Sequence, residues 1–207
     1  MTIGLRERRK QEARRAISDA AMELFAAKGF DEVTIAQVAE AAGVSKMTVT
    51  NHFPRKEDLV FDRAEATISG LADAAVARAP GESVLAAIRR DYAERIAAGD
   101  VTLGPPSPTF ARLVATSHVL TSRCREIADL CEQALGDAVA AETGVDDAQQ
   151  RIVAAQLASV HRVLFAESAR RTLAGEPRDE ILRVLAEAAR RAFDRLEPSL
   201  GRYGVGS

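Results

Sequence analysis

An all-α fold of about nine helices is predicted from three observations. Apolar residues make up 47% of the 207-residue chain, much of that alanine, while aromatic residues contribute 4% and tryptophan is absent, a balance that suits close helix packing over sheet. Apolar positions recur at helical spacing along most of the chain, and glycine and proline fall in short interruptions between those stretches. The length admits either one large domain or a small domain joined to a larger one.

The first helix is predicted over Leu5 to Lys28, where Ala13, Ile17, Ala20, Ala21, Leu24 and Phe25 share one stripe and Gly29 is the stop. Thr34-Ile35-Ala36-Gln37 is a capping box: the threonine oxygen accepts from the third helical amide while the glutamine reaches back, so a second helix starts there. Ala42-Gly43-Val44 interrupts it, with Gly43 suited to a left-handed turn, and Ser45 is a good N-cap for a third, short helix that meets Pro54. Beyond Pro54, Glu57 and Asp58 suit a first helical turn, and an Ala-rich helix is expected from about Lys56 to Ala79. Pro80-Gly81 breaks it. A further helix is expected over Glu82 to Ala98, then a loop from Gly99 to Pro108, then helical pattern from Thr109 to Glu142. Asp146 is the expected cap of a long helix reaching Ala174, and after Gly175-Glu176-Pro177 a last helix runs through Leu196. The tail 199–207 holds three glycines and is expected to be disordered.

The formal net charge is −2, but its distribution is uneven. Between Arg6 and Arg15, Arg6, Arg8, Arg9, Lys10, Arg14 and Arg15 outnumber Glu7 and Glu12, for a local charge of +4 on an otherwise acidic chain. Such a segment is either a solvated helix face or an arm on phosphates, and a DNA-reading motif beside it favours the arm. No secretory signal and no long apolar span is read, so a cytoplasmic protein with reduced cysteines and no membrane association is expected. Cys124 and Cys131 lie two helical turns apart, about 10.5 Å, too far for a disulfide within one intact helix. The histidines form no metal-ligand spacing, and neither a metal nor a cofactor is expected.

The stretch Thr34 to Leu59 carries the function. A capped short helix, a glycine turn and a second short helix describe a helix-turn-helix, with Ile35, Val38, Ala39, Val44, Val49 and Phe53 as its apolar anchors. The second helix offers Ser45, Lys46, Thr48, Thr50, Asn51 and His52 on its polar side. Asn bonds adenine in bidentate fashion, Lys reaches guanine or phosphate, and a threonine methyl packs on thymine. Hydroxyls and helix N-termini also hold phosphates, fixing register without reading sequence. The expected organisation is a DNA-binding domain over 1–55, a helical domain over 56–198 and the tail.

The run Thr34-Ile35-Ala36, Ala39, Ala42-Gly43-Val44-Ser45, Thr48, Phe53-Pro54 and Lys56-Glu57-Asp58-Leu59 resembles the TetR family of bacterial transcriptional regulators. The resemblance implies a dimeric, ligand-responsive repressor of a pseudo-palindromic operator, with Thr34, Ser45, Lys46, Met47, Thr48, Thr50, Asn51, His52 and Lys56 at the DNA. Met47 and Thr50 stand where the family usually has glycine and an aromatic residue, so this chain is expected to have its own operator preference. The resemblance also implies a homodimer through the last two long helices, a small-molecule effector in the C-terminal region, and a fourth helix that couples the two.

Candidate effector residues are Tyr92, Phe110, His118, Cys131, His161 and Phe165, each of which equally suits a core. Two rival functions compete with this one. An α-helical hydrolase or transferase lacks any phosphate loop, nucleophile elbow or HExxH, so no enzyme is expected. A helical adaptor would use the same helix-turn-helix to bind protein.

Overall fold

The computed structural model describes residues 5–105, 107–144 and 147–204. Among these the secondary structure is entirely helical: α1 (Leu5–Lys28), α2 (Ile35–Ala41), α3 (Lys46–His52), α4 (Ala64–Val76), α5 (Val84–Ala97), α6 (Pro108–Thr116), α7 (His118–Thr143), α8 (Ala148–Leu173) and α9 (Arg178–Leu200), with single 3-10 turns at Lys56–Leu59 and Val101–Leu103. They form two compact units. The smaller runs to Ala64 and takes in Arg112–Arg123; the larger holds Glu65–Ala111 and the chain from Cys124 on. The boundary expected after residue 55 thus falls later, and the smaller unit is discontinuous in sequence.

In the smaller unit Ile17, Ala21 and Phe25 of α1 meet Val38, Ala39, Val49 and Phe53 in a fully buried core, with Ile35 and Val44 half-buried. Each large side chain so buried contributes about 1.5–3 kcal/mol. The helix expected from Lys56 to Ala79 is divided. Leu59, Val60 and Phe61 are consecutive and all buried, which one amphipathic helix face cannot achieve, so the chain makes a 3-10 turn before α4 begins at Ala64.

The core of the larger unit is built by Leu71, Leu85, Ile88, Tyr92, Leu103, Leu135, Leu157, Leu164, Leu185 and Phe193. Ser83 caps α5, its oxygen accepting from the Ala86 amide at 3.1 Å. The helical stretch expected over 109–142 is two helices, because Ser117 is buried between them and caps the second. Asp146 lies outside the described residues; Asp147 caps α8, accepting from the Gln150 amide at 2.9 Å. The last helix continues past Leu196 through Pro198 to Leu200, and the expected disorder from 199 on is corrected as far as residue 204. Leu200 is buried, the Tyr203 carbonyl accepts from the Val84 amide at 3.2 Å, and that of Gly204 accepts from Arg78 at 3.0 Å. This anchoring outweighs the single helical hydrogen bond that Pro198 removes. Residues 205–207 lie outside the described residues.

Candidate nucleic-acid interface

The reading helix α3 is short, and its position is set by what surrounds it. Gly43 at φ +66° makes the left-handed turn that lets α3 leave α2. Thr34 and Gln37 form the expected capping box, with the Thr34 amide donating to Gln37 Oε1 at 2.8 Å and the Gln37 amide to Thr34 Oγ1 at 3.3 Å. Ser45 caps α3: its Oγ accepts from the Thr48 amide at 3.0 Å and lies 2.9 Å from Thr48 Oγ1. Val49 and Phe53 are sunk in the core. The opposite face of α3 is left to solvent.

On that face Ser45, Lys46, Met47, Thr50 and Asn51 are exposed, with Thr48 and His52 half-buried. Their chemistry is uneven. The hydroxyls of Ser45 and Thr48 are tied to each other, and Thr50 Oγ1 donates back to the helix carbonyls of Lys46 and Met47 at 3.2 and 3.1 Å. The side chains of Lys46 and Asn51 make no hydrogen bond within the described residues. Met47 is 69% exposed.

Two basic residues have duties that the sequence did not reveal. Arg14, read as part of the cationic segment, is half-buried: its guanidinium lies 4.2 Å from the Phe53 ring centroid and donates to the carbonyls of His52 and Asp62. It therefore ties α1 to both ends of the segment that follows α3. Arg8, Arg9, Lys10 and Arg15 are exposed, Arg15 standing 3.9 Å from Asp19, while the side chain of Arg6 lies outside the described residues. Lys56, expected on phosphate, is turned onto the protein. Its ammonium donates to the Asp31 carbonyl at 3.3 Å and sits 4.4 Å from the Phe30 ring centroid, and burial lowers its pKa despite nearby Asp31, Glu32 and Glu57. Asp58 receives the Arg55 amide at 3.1 Å and pairs at 2.9 Å with Arg123, both side chains largely shielded from solvent. Only the fold brings Arg123 to that place.

The six effector candidates separate. Tyr92 and His161 meet edge-on with ring centroids 6.2 Å apart, and Phe165 lies 6.4 Å from His161. Tyr92 Oη and His161 Nδ1 are buried without a hydrogen-bond partner. Burial holds the His161 pKa down at about 4, with Arg95 adding to the effect, and pushes the Tyr92 hydroxyl up. Cys131 donates to the Thr67 carbonyl at 3.4 Å, and burial raises its thiol to about 11, which suits packing and not thiolate chemistry. Phe110 is buried in the larger unit, whereas His118 is exposed and belongs to the smaller one, apart from the other five.

A cavity of about 210 Å³ in the larger unit is lined by none of the six. Its walls include Leu103, Ser168, Thr172, Arg178, Ile181 and Leu182. The signal for it was the proline- and glycine-rich loop 99–108, which has few side chains to fill space against α8 and α9. Among the described residues no cluster of His, Cys, Asp and Glu is placed to hold a metal, and no helix is long and apolar enough to cross a membrane.

Residues 17–62 match the model of the bacterial regulatory proteins of the tetR family. The chain is 30% identical over 205 residues to the HTH-type transcriptional regulator TcmR of Streptomyces glaucescens, covering 95% of this chain and 88% of that one. Among solved structures, Salmonella enterica GusR matches 91% of this chain and 95% of its own at 16% identity with a TM-score of 0.54. NalD of Pseudomonas aeruginosa matches 88% and 95% at 18% identity and 0.53. These two likenesses concern the fold. With the whole-length relative and the motif geometry above, the chain belongs to the TetR family of bacterial transcriptional regulators, DNA-binding proteins of the helix-turn-helix class.

Proposed function

We propose that this regulator is a cytoplasmic, homodimeric repressor, not an enzyme, whose two α3 helices enter successive major grooves of a pseudo-palindromic operator about 34 Å apart and leave it when a small molecule binds the larger unit. The observation that carries the reading is the outward face of α3, where Lys46 and Asn51 have their hydrogen-bonding groups free while the neighbouring hydroxyls are committed to holding the helix. Asn51 is the base reader and Lys46 the guanine or phosphate contact. Ser45, Thr48, His52 and Thr34 lie at phosphate depth, and Lys56 acts by positioning the segment after α3. The NalD structure is that of a secondary repressor of a multidrug efflux pump, in keeping with the sign of regulation proposed here.

The dimer reading draws on α8. Ile152, Val163 and Leu173 are 51%, 54% and 45% exposed and fall within one stripe of the helix, a surface that water disfavours. The exposed side of α9 is instead laced with ion pairs among Glu180, Arg183, Glu187, Arg190, Arg191 and Asp194, so α8 supplies the apolar part of the interface and α9 its polar rim.

The effector site is the cavity of about 210 Å³, smaller than a usual drug-sized pocket and so suited only to a small, compact molecule. Ser168 on its wall lies two turns, about 10.5 Å, along α8 from His161, which is buried beside Tyr92 and does not line the cavity. Any such molecule must prefer the state that does not bind DNA, since equal affinity for both states shifts nothing. The test is selection of an operator from random duplex DNA with the full chain, followed by gel-shift titration and sedimentation. A palindromic site bound by two chains is expected, and Val163→Asp should give a monomer that binds it poorly. Binding indifferent to sequence would overturn the reading.

A further inference from the structure

Resting on that DNA-binding reading, we infer that Met47 and Thr50 form an apolar strip that reads thymine methyl groups in the operator, beside an adenine held by Asn51. Met47 is the most exposed large apolar side chain among the described residues, and it stands on the outward face of α3. Thr50 lies three residues on and Asn51 four, so all three share that face. The Thr50 hydroxyl uses its proton on the backbone of its own helix, at 3.1 and 3.2 Å from two carbonyls, and this turns the side chain so that its methyl is the group left for a partner. The Ser45 and Thr48 hydroxyls share one hydrogen bond at the start of the helix. Beyond that pair, the exposed surface of α3 is a thioether and a methyl flanked by one amide and one ammonium.

In the major groove the base edges present hydrogen-bonding groups with one apolar exception, the C5 methyl of thymine. A methionine or a threonine methyl placed on any other edge would strip water from a donor or acceptor without replacing it. Methionine is unbranched and adapts to an irregular apolar surface, so it can follow a methyl on either strand. The strip therefore selects thymine at the positions under Met47 and Thr50, and Asn51 selects adenine next to them. An A·T-rich step in each half-site follows.

The experiment replaces thymine by uracil, one position at a time, in the operator selected by the full chain. This removes a methyl and leaves every hydrogen-bonding edge intact. Uracil at one or two positions per half-site should weaken binding about fourfold each, the factor for burying one such group. With Met47→Ala one of those losses should vanish, and with Thr50→Ser, which keeps the hydroxyl, the other. Met47→Leu should restore sensitivity. Both residues are exposed, so unchanged melting of each variant separates reading from folding. A flat uracil scan by a protein that still distinguishes its operator from scrambled DNA would overturn the inference and leave the DNA-binding reading standing. Failure to distinguish the two would overturn both readings, and uracil sensitivity that survives both substitutions would overturn the inference alone.

Discussion

The smaller unit ties most of its inward polar side chains to its own backbone, and the larger unit leaves more of them buried without a partner. Around α3, Thr34, Ser45 and Thr50 cap or bind backbone, Thr48 bonds the Ser45 hydroxyl, Ser18 donates to the Leu59 carbonyl at 3.0 Å, and Arg14 ties three segments together. Lys46 and Asn51, whose side chains bond nothing else there, face outward. In the larger unit Tyr92 Oη, His161 Nδ1 and Gln150 Oε1 are buried without a partner. Each such group costs about 1–3 kcal/mol. The smaller unit is organised before its partner arrives, whereas the larger one holds polar atoms whose satisfaction would reward a visitor.

The widest test of that contrast is Phe53→Ala. Losing this buried ring and the stack with Arg14 should cost about 3–5 kcal/mol, enough to melt the smaller unit and abolish operator binding. Both tyrosines, Tyr92 and Tyr203, lie in the larger unit and tryptophan is absent, so the near-ultraviolet tyrosine signal follows that unit alone. It should be nearly unchanged. An equal loss of both signals would break the distinction between the units.

Acid should act on the other side. His161 is neutral in the folded protein, with a pKa near 4 against an ordinary 6.5, so between those values the unfolded chain binds a proton that the folded unit does not. The stability this provides is complete above about pH 6.5 and is lost as pH falls toward 4, by about 3 kcal/mol. Thermal melts followed by tyrosine should show that slope, and His161→Leu should flatten it. An unaltered slope in the variant would assign the acid sensitivity elsewhere.

Asn51→Ala should weaken operator binding by about 1–3 kcal/mol, relax preference at one base pair and leave both melting transitions in place. Equal weakening on all sequences would make Asn51 a phosphate contact. The least effect is expected from Arg190→Ala. Its pairs with Glu187 and Asp194 are well exposed, and no resolvable shift in melting should follow.

The elements of the smaller unit were legible because local chemistry fixes them: the capping box at Thr34, the glycine turn at Gly43 and the cap at Ser45 all act within four residues. The same holds for the end of α1 before Gly29, and for α5 to within a residue or two. Less legible was whatever depends on contacts distant in sequence. Nothing near Lys56 announces that Phe30 and Asp31 will claim its ammonium, nor near Arg14 that Phe53 lies under it. The break in the helix expected from Lys56 to Ala79 could have been found, since Leu59-Val60-Phe61 is an apolar run that no single helix face buries. The effector candidates were chosen by side-chain type, which finds aromatic core residues as readily as cavity walls. A cavity arises from what a loop fails to fill, and loop 99–108 gives no periodic signal to follow.

Because the unit that holds α3 draws on residues 112–123, it is not a modular head that ends where the helix-turn-helix motif ends. During synthesis its first 64 residues leave the ribosome well before Arg123 is made to neutralise Asp58, so the unit matures only when the chain is more than half complete. A chimera that exchanges specificity between regulators by transplanting the N-terminal segment alone would leave one acid facing a foreign surface, and the graft should carry both pieces.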